Sequence, residues 1–184
     1  MKERKTLEAQ WKAQADFIEK LAEKYPNVQW SPGSTQISDC PEGWQPIVDD
    51  LFAVMNNIAS QGVGYSKDGW IKRFTEACNR LAMKLRLPRK FRFKYRTSKR
   101  WNVKPVIVVE QLKEKFAELR LYYRCDDPKA DDRILGALSA AEQICSHTCQ
   151  ASGSKDGKLR TGGWWVVLSD EEYLKRKNRV NGKA

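Results

Sequence analysis

The chain has 184 residues, 41% of them hydrophobic and 31% charged, with seven Trp and a formal net charge of +11. That is enough apolar side chain for one packed domain and excludes a wholly disordered chain. No stretch approaches the ~18 consecutive apolar residues of a membrane span, and the terminus MKERKTLEAQWKAQ lacks the apolar run of a secretory signal.

Residues 3–25 predict an amphipathic helix, with Leu7, Trp11, Ile18, Leu21 and Tyr25 on one face and Pro26 as its stop. The pattern suits a helix docked on the core or a helix that pairs with a partner. Residues 26–43 are rich in Pro, Gly and Ser and predict a loop. A second helix is expected from Gln45 to Ser60, with Pro46 in its first turn and Ile47, Leu51, Val54, Met55 and Ile58 as its apolar stripe. A third is expected over 70–86, ended by Pro88.

The basic segment follows. Between Lys84 and Lys104 there are ten basic residues and no acid, so nearly all of the net charge sits there. From Lys90 to Arg96, cations alternate strictly with Phe91, Phe93 and Tyr95, which predicts a strand with a basic face. Val106–Val109 predicts another strand. Residues 111–120 fit either a helix or a hairpin turning near Phe116-Ala117-Glu118. Residues 129–148 predict a helix with Ile134, Leu138, Ala141, Ile144 and Cys145 inward. Ser152–Gly163 predicts a loop, Trp164–Leu168 a short strand, and Ser169 the cap of a last helix.

The five cysteines, Cys40, Cys78, Cys125, Cys145 and Cys149, are expected to be reduced thiols of a cytoplasmic protein. The one histidine, His147, has no positioned acid or nucleophile beside it in the sequence, so no catalytic residue is assigned. The acid pairs Asp49-Asp50, Asp126-Asp127 and Asp131-Asp132 suit helix starts and a turn. A metal-dependent nuclease built on them is the less favoured alternative.

Gly43-Trp44-Gln45-Pro46-Ile47, Lys113-Glu114-Lys115-Phe116, Leu119-Arg120-Leu121-Tyr122, Thr148-Cys149, Leu159-Arg160 and Gly163-Trp164-Trp165 resemble a family of small uncharacterised bacteriophage and prophage proteins. The resemblance covers roughly 43–60 and 106–173, and it favours the hairpin reading of 111–120. Members often end in a zinc-ribbon-like element, with a Cys-x-x-Cys-Gly knuckle and a later Cys-x-x-His. In this chain the corresponding positions are Cys149, Ser152, Ser169 and Glu172. One thiol of four does not make a closed structural zinc site, so neither metal nor cofactor is expected. Trp164 and Trp165 are expected to supply a replacement core.

The expected architecture is α+β, with a small antiparallel sheet packed with several helices. An amino-terminal helix and loop (1–42) precede a core domain (43–184) that contains a basic insertion (about 61–104) and a degenerate ribbon-like tail (about 145–173). The expected function is non-enzymatic binding of nucleic acid or of a host nucleoprotein complex, with no membrane partner. The residues assigned to it are Arg89, Lys90, Arg92, Lys94, Tyr95, Arg96, Lys99, Arg100 and Trp101, because cations neutralise phosphates while aromatics stack on unpaired bases. The alternative is an anti-defence inhibitor that binds a host defence protein directly.

Overall fold

The computed structural model describes residues 2–65 and 101–181. The helix expected at 70–86 and the basic strand at 90–96 lie outside the described residues.

Helix α1 runs Lys2–Lys24 and stops before Pro26, which cannot continue it. Strand β1, Val28–Trp30, follows at once. A 3-10 turn, Glu42–Trp44, leads into α2, Gln45–Gln61, with Pro46 in the first turn where its missing N–H costs nothing. Gly62 ends α2 at φ 74, its N–H donating to the Ile58 carbonyl at 3.0 Å. Strands β2 (Val63–Tyr65) and β3 (Trp101–Val103) pair antiparallel. Strands β4 (Ile107–Lys115) and β5 (Glu118–Cys125) form a hairpin. Helix α3, Pro128–Cys145, is capped by Asp127, whose carboxylate accepts from the N–H groups of Lys129 and Ala130. Strands β6 (Lys158–Arg160) and β7 (Val166–Leu168) pair antiparallel, and α4 (Asp170–Asn181) closes the described chain. Ser169 starts α4 as expected, its Oγ accepting from Glu172 N–H at 3.4 Å.

The class is α+β. The main sheet has the order β1-β4-β5, with β1 parallel to β4 and β4 antiparallel to β5. Period two divides its side chains cleanly. Val28, Ile107, Val109, Leu112, Leu119 and Leu121 point one way and are buried against α2 and α3. Register slips between Val109 and Gln111, so a β-bulge keeps Leu112 on the inner face after Val109. Helix α1 joins the same core through Ile18 and Leu21, with Tyr25 just beyond its end. The Phe52 ring lies between Tyr25, at 6.4 Å, and Trp30, stacked at 5.5 Å.

Several expectations are corrected in detail. In α2 the buried stripe is Val48, Leu51, Phe52, Met55, Ile58 and Ala59, whereas Val54 is exposed. In α3 Ile144 is exposed, because the buried face already runs through Ile134, Leu138, Ala141 and Cys145 at helical spacing. The segment read wholly as loop contains β1. Residues 111–120 are indeed a hairpin, turning at Phe116-Ala117, and both residues have positive φ.

The tip of the hairpin carries a half-buried acid. Glu114 Oε1 accepts the Ala117 N–H at 2.6 Å, and Asp39 Oδ1 accepts the Glu114 N–H at 3.2 Å. Burial first, and then the neighbouring Asp39 charge, push the Glu114 carboxyl above its usual range. An acid whose folded pKa is raised favours folding only while protonated, and that contribution is lost as pH rises through the folded pKa. Glu114→Gln keeps the acceptor and removes the charge. It is expected to melt higher than the parent at pH 7, with the gain disappearing below about pH 4, where the parent's carboxyl is also neutral. Thermal midpoints across that range check this.

Candidate functional site

Of the residues assigned from sequence, Arg89, Lys90, Arg92, Lys94, Tyr95, Arg96, Lys99 and Arg100 lie outside the described residues. Trp101 begins β3, which joins its backbone to Tyr65 of β2.

The described residues offer a second basic and aromatic surface. Because α2 and α3 cover one face of the β4–β5 hairpin, the alternate residues face outward. These are Gln111, Lys113 and Lys115 on β4, opposite Tyr122, Arg120 and Glu118 on β5. Farther along β5, Arg124 is exposed and pairs with Glu110. Lys113 and Arg120 are directly opposed, and like charges in that position cost stability. Arg120 is paired with Glu118. Among the described residues Lys113 and Lys115 form no ion pair. Instead the Lys113 ammonium lies 5.0 Å from the Tyr122 ring and the Lys115 ammonium 5.1 Å from the Phe116 ring. Both cations therefore present charge on aromatic surface that faces solvent.

At the hairpin tip this face runs into an aromatic cleft of about 560 Å³, lined by Phe116, Glu118, Arg120, Gly163, Trp164 and Trp165. Phe116 is 60% exposed, Trp164 73% and Trp165 48%. Trp164 and Trp165 are thus not the replacement core expected from sequence. Phe116 meets Trp165 edge to face at 6.4 Å. The loop that carries the two Trp springs from β6–β7. Its base is fixed by Arg160, which lies 4.6 Å over the Tyr173 ring and pairs with Asp170. Gly163 at φ 110 turns the chain there, a conformation open to glycine.

The residue that does pin the tail is Trp44. It is fully buried, and its Nε1–H donates to the Thr148 carbonyl at 2.8 Å. Beside it Gly43 N–H donates to the Gln150 carbonyl at 2.9 Å. The tail turn, Cys149–Gly153, lies so close that a Cβ on Gly43 would sit 2.1 Å from the Cys149 carbonyl oxygen and 2.5 Å from Gly153 N.

That turn surrounds the Cys149 thiol with hydrogen-bond donors. Burial would raise the Cys149 thiol pKa. Hydrogen bonds from the Ser152 hydroxyl and from the N–H groups of Ser169, Ser152 and Ala151 outweigh it and leave the thiol below its ordinary value. Around the thiol stand the Ser152 hydroxyl and backbone N–H groups, a set that does not fit zinc, because a hydroxyl is a poor zinc ligand and an N–H is none. Among the described residues no three His, Cys, Asp or Glu side chains are grouped to hold a metal.

The groups weighed for catalysis have structural partners. Asp126 accepts from Val106 N–H at 2.7 Å, Asp127 caps α3, and Asp131 accepts from the Tyr123 hydroxyl at 2.8 Å. His147 is exposed, and its backbone carbonyl accepts from Gly157 N–H. Cys145 is buried, and burial pushes its thiol up to about 12, which makes it a poor nucleophile. Among the described residues no helix is long and apolar enough to cross a membrane. Compared with protein-family models, curated proteins and solved structures, the chain matches none.

Proposed function

We propose that this chain is a non-enzymatic binding protein that engages nucleic acid, free or within a host nucleoprotein complex. The observation that carries the reading is the outward hairpin face, where Lys113 and Lys115 form no ion pair among the described residues and lie beside Tyr122 and Phe116, and Lys113 directly opposes Arg120. Phosphates would relieve the opposed cations, and the rings offer stacking surface. The strip that includes Arg89, Lys90, Arg92, Lys94, Tyr95, Arg96, Lys99, Arg100 and Trp101 is the second contact. Residues 66–100 contain thirteen Lys and Arg against two acids, a balance equal to the net charge of the whole chain. The sequence resemblance to phage proteins supports a host-cell setting, with host nucleic acid or its protein complexes as the targets.

The test is fluorescence anisotropy with labelled DNA and RNA at about 50 mM salt, where phosphate contacts are strongest. The Lys113/Lys115/Arg120→Ala and Arg92/Lys94/Arg96→Ala variants are each expected to lose about ten-fold or more in affinity. Binding that neither variant weakens would overturn the assignment to these faces. Absence of binding in the parent would turn the search to a host protein that the chain inhibits directly.

A further inference from the structure

We propose that the cleft at the hairpin tip takes an unpaired base of a single strand, which makes the chain selective for single-stranded over duplex nucleic acid. This rests on the nucleic-acid reading above and adds to it the site and the form of the strand.

Three large rings from two separate elements converge in the cleft, and all three are left in water. Exposing that much contiguous apolar surface is unfavourable, and such patches mark places where something binds. The backbone is held at a cost for the same arrangement. Phe116 has φ 57 and Ala117 φ 63, the pattern of a two-residue type I′ turn in which Asn-Gly would be at ease. A bulky aromatic in the left-handed region is unusual, and such strain concentrates where a side chain must be aimed at a ligand. Here it aims the Phe116 ring at Trp165. On the other side Gly162 and Gly163 have open space where a Cβ would stand, and Trp164 beside them is largely exposed.

Charge identifies the occupant. The cleft is not an isolated apolar hole. Arg120 lines it, paired with Glu118 on the same wall, while Lys115 sits over the Phe116 ring and Lys113 opposes Arg120 across the hairpin, so three cations stand against one acid. Rings beside a row of cations match a ligand that alternates flat apolar faces with negative charge. A single strand does that at every nucleotide. In a duplex the base faces are already stacked on one another, so the cleft could engage only the backbone.

The experiment uses the full chain with a labelled oligothymidine and a labelled duplex of the same length, at about 50 and 200 mM salt. Trp164→Leu removes the stacking ring, Trp164→Phe keeps one, and Phe116→Asn removes the second ring while suiting the turn. Thermal melting shows that each variant is folded. The expected result is a parent that prefers the single strand, with Trp164→Leu and Phe116→Asn weakening that binding about ten-fold, as lost base stacking does. Duplex binding and the salt slope stay unchanged, and Trp164→Phe retains most of the affinity. A parent that binds both forms equally, or a folded Trp164→Leu variant within two-fold of the parent on the single strand, overturns this inference and leaves the broader reading standing. A parent that binds neither form overturns both.

Discussion

Gly43→Ala is expected to destabilise the protein by about 3 kcal/mol or more, or to prevent its folding, although it adds one methyl group. The cause is a methyl group set against rigid backbone. The new Cβ would meet the Cys149 carbonyl oxygen at 2.1 Å and Gly153 N at 2.5 Å, and no side chain can rotate away. Relief requires the 3-10 turn and the Cys149–Gly153 turn to separate. That breaks the Gly43 N–H bond to Gln150 and draws Trp44 away from the Thr148 carbonyl. The indole N–H would then be buried without a partner, which costs a further ~1–3 kcal/mol if it stays dry. Denaturant unfolding of the two proteins side by side checks this. A Gly43→Ala protein within 1 kcal/mol of the parent would show that the two turns are not in contact in solution.

Phe52→Ala is expected to cost about 3–5 kcal/mol, the range for emptying a buried aromatic site. Phe52 is fully buried at the centre of three rings, with Tyr25 and Trp30 on its flanks. Tyr25 follows α1 and Trp30 ends β1, so the ring holds both to α2. Among the described residues the three-residue β1 pairs only with β4, and the other ties of this segment to α2, Asn27 to Asn56 and Lys24 to Asp49, lie at the exposed surface. Hydrogen exchange is therefore expected to speed up first at Ile18–Trp30, while the β4–β5 ladder keeps its protection. Uniform loss of protection across both regions would contradict this distribution.

The elements legible in sequence are those with a strong local signal. Pro46 marks the start of α2, Ser169 the start of α4, and the residues from Ile134 to Cys145 recur at helical spacing. The α+β class follows from that mixture of periods. What escaped depends on contacts distant in sequence. Strand β1 is three residues squeezed between Pro26 and Pro32, too short for alternation to register, and it exists because β4 pairs with it. The buried stripe of α2 departs from expectation at Val54 because the helix is apolar on more than one side, and only packing against the sheet and α3 selects Val48 and Phe52. Trp164 and Trp165 follow the same logic in reverse. Large apolar residues are expected inside, so two adjacent exposed Trp cannot be read from composition. Phe116 at positive φ is equally invisible, since Phe-Ala is not a turn signature. The alternation Lys113-x-Lys115 facing Arg120-x-Tyr122 was present in the sequence, but it becomes a surface only when the hairpin register is known. Of the site chosen from sequence, the described residues include only Trp101.

The measurement that bears most directly on the account is the salt dependence of single-strand binding by the parent and by the Lys113/Lys115/Arg120→Ala variant. If these three cations contact phosphates, log affinity falls linearly with log salt, and the slope is shallower in the variant by about two, from roughly 0.7 per phosphate lost. A slope that is unchanged in the variant, or a parent whose binding is weak and insensitive to salt, would contradict the placement of nucleic acid on the hairpin face.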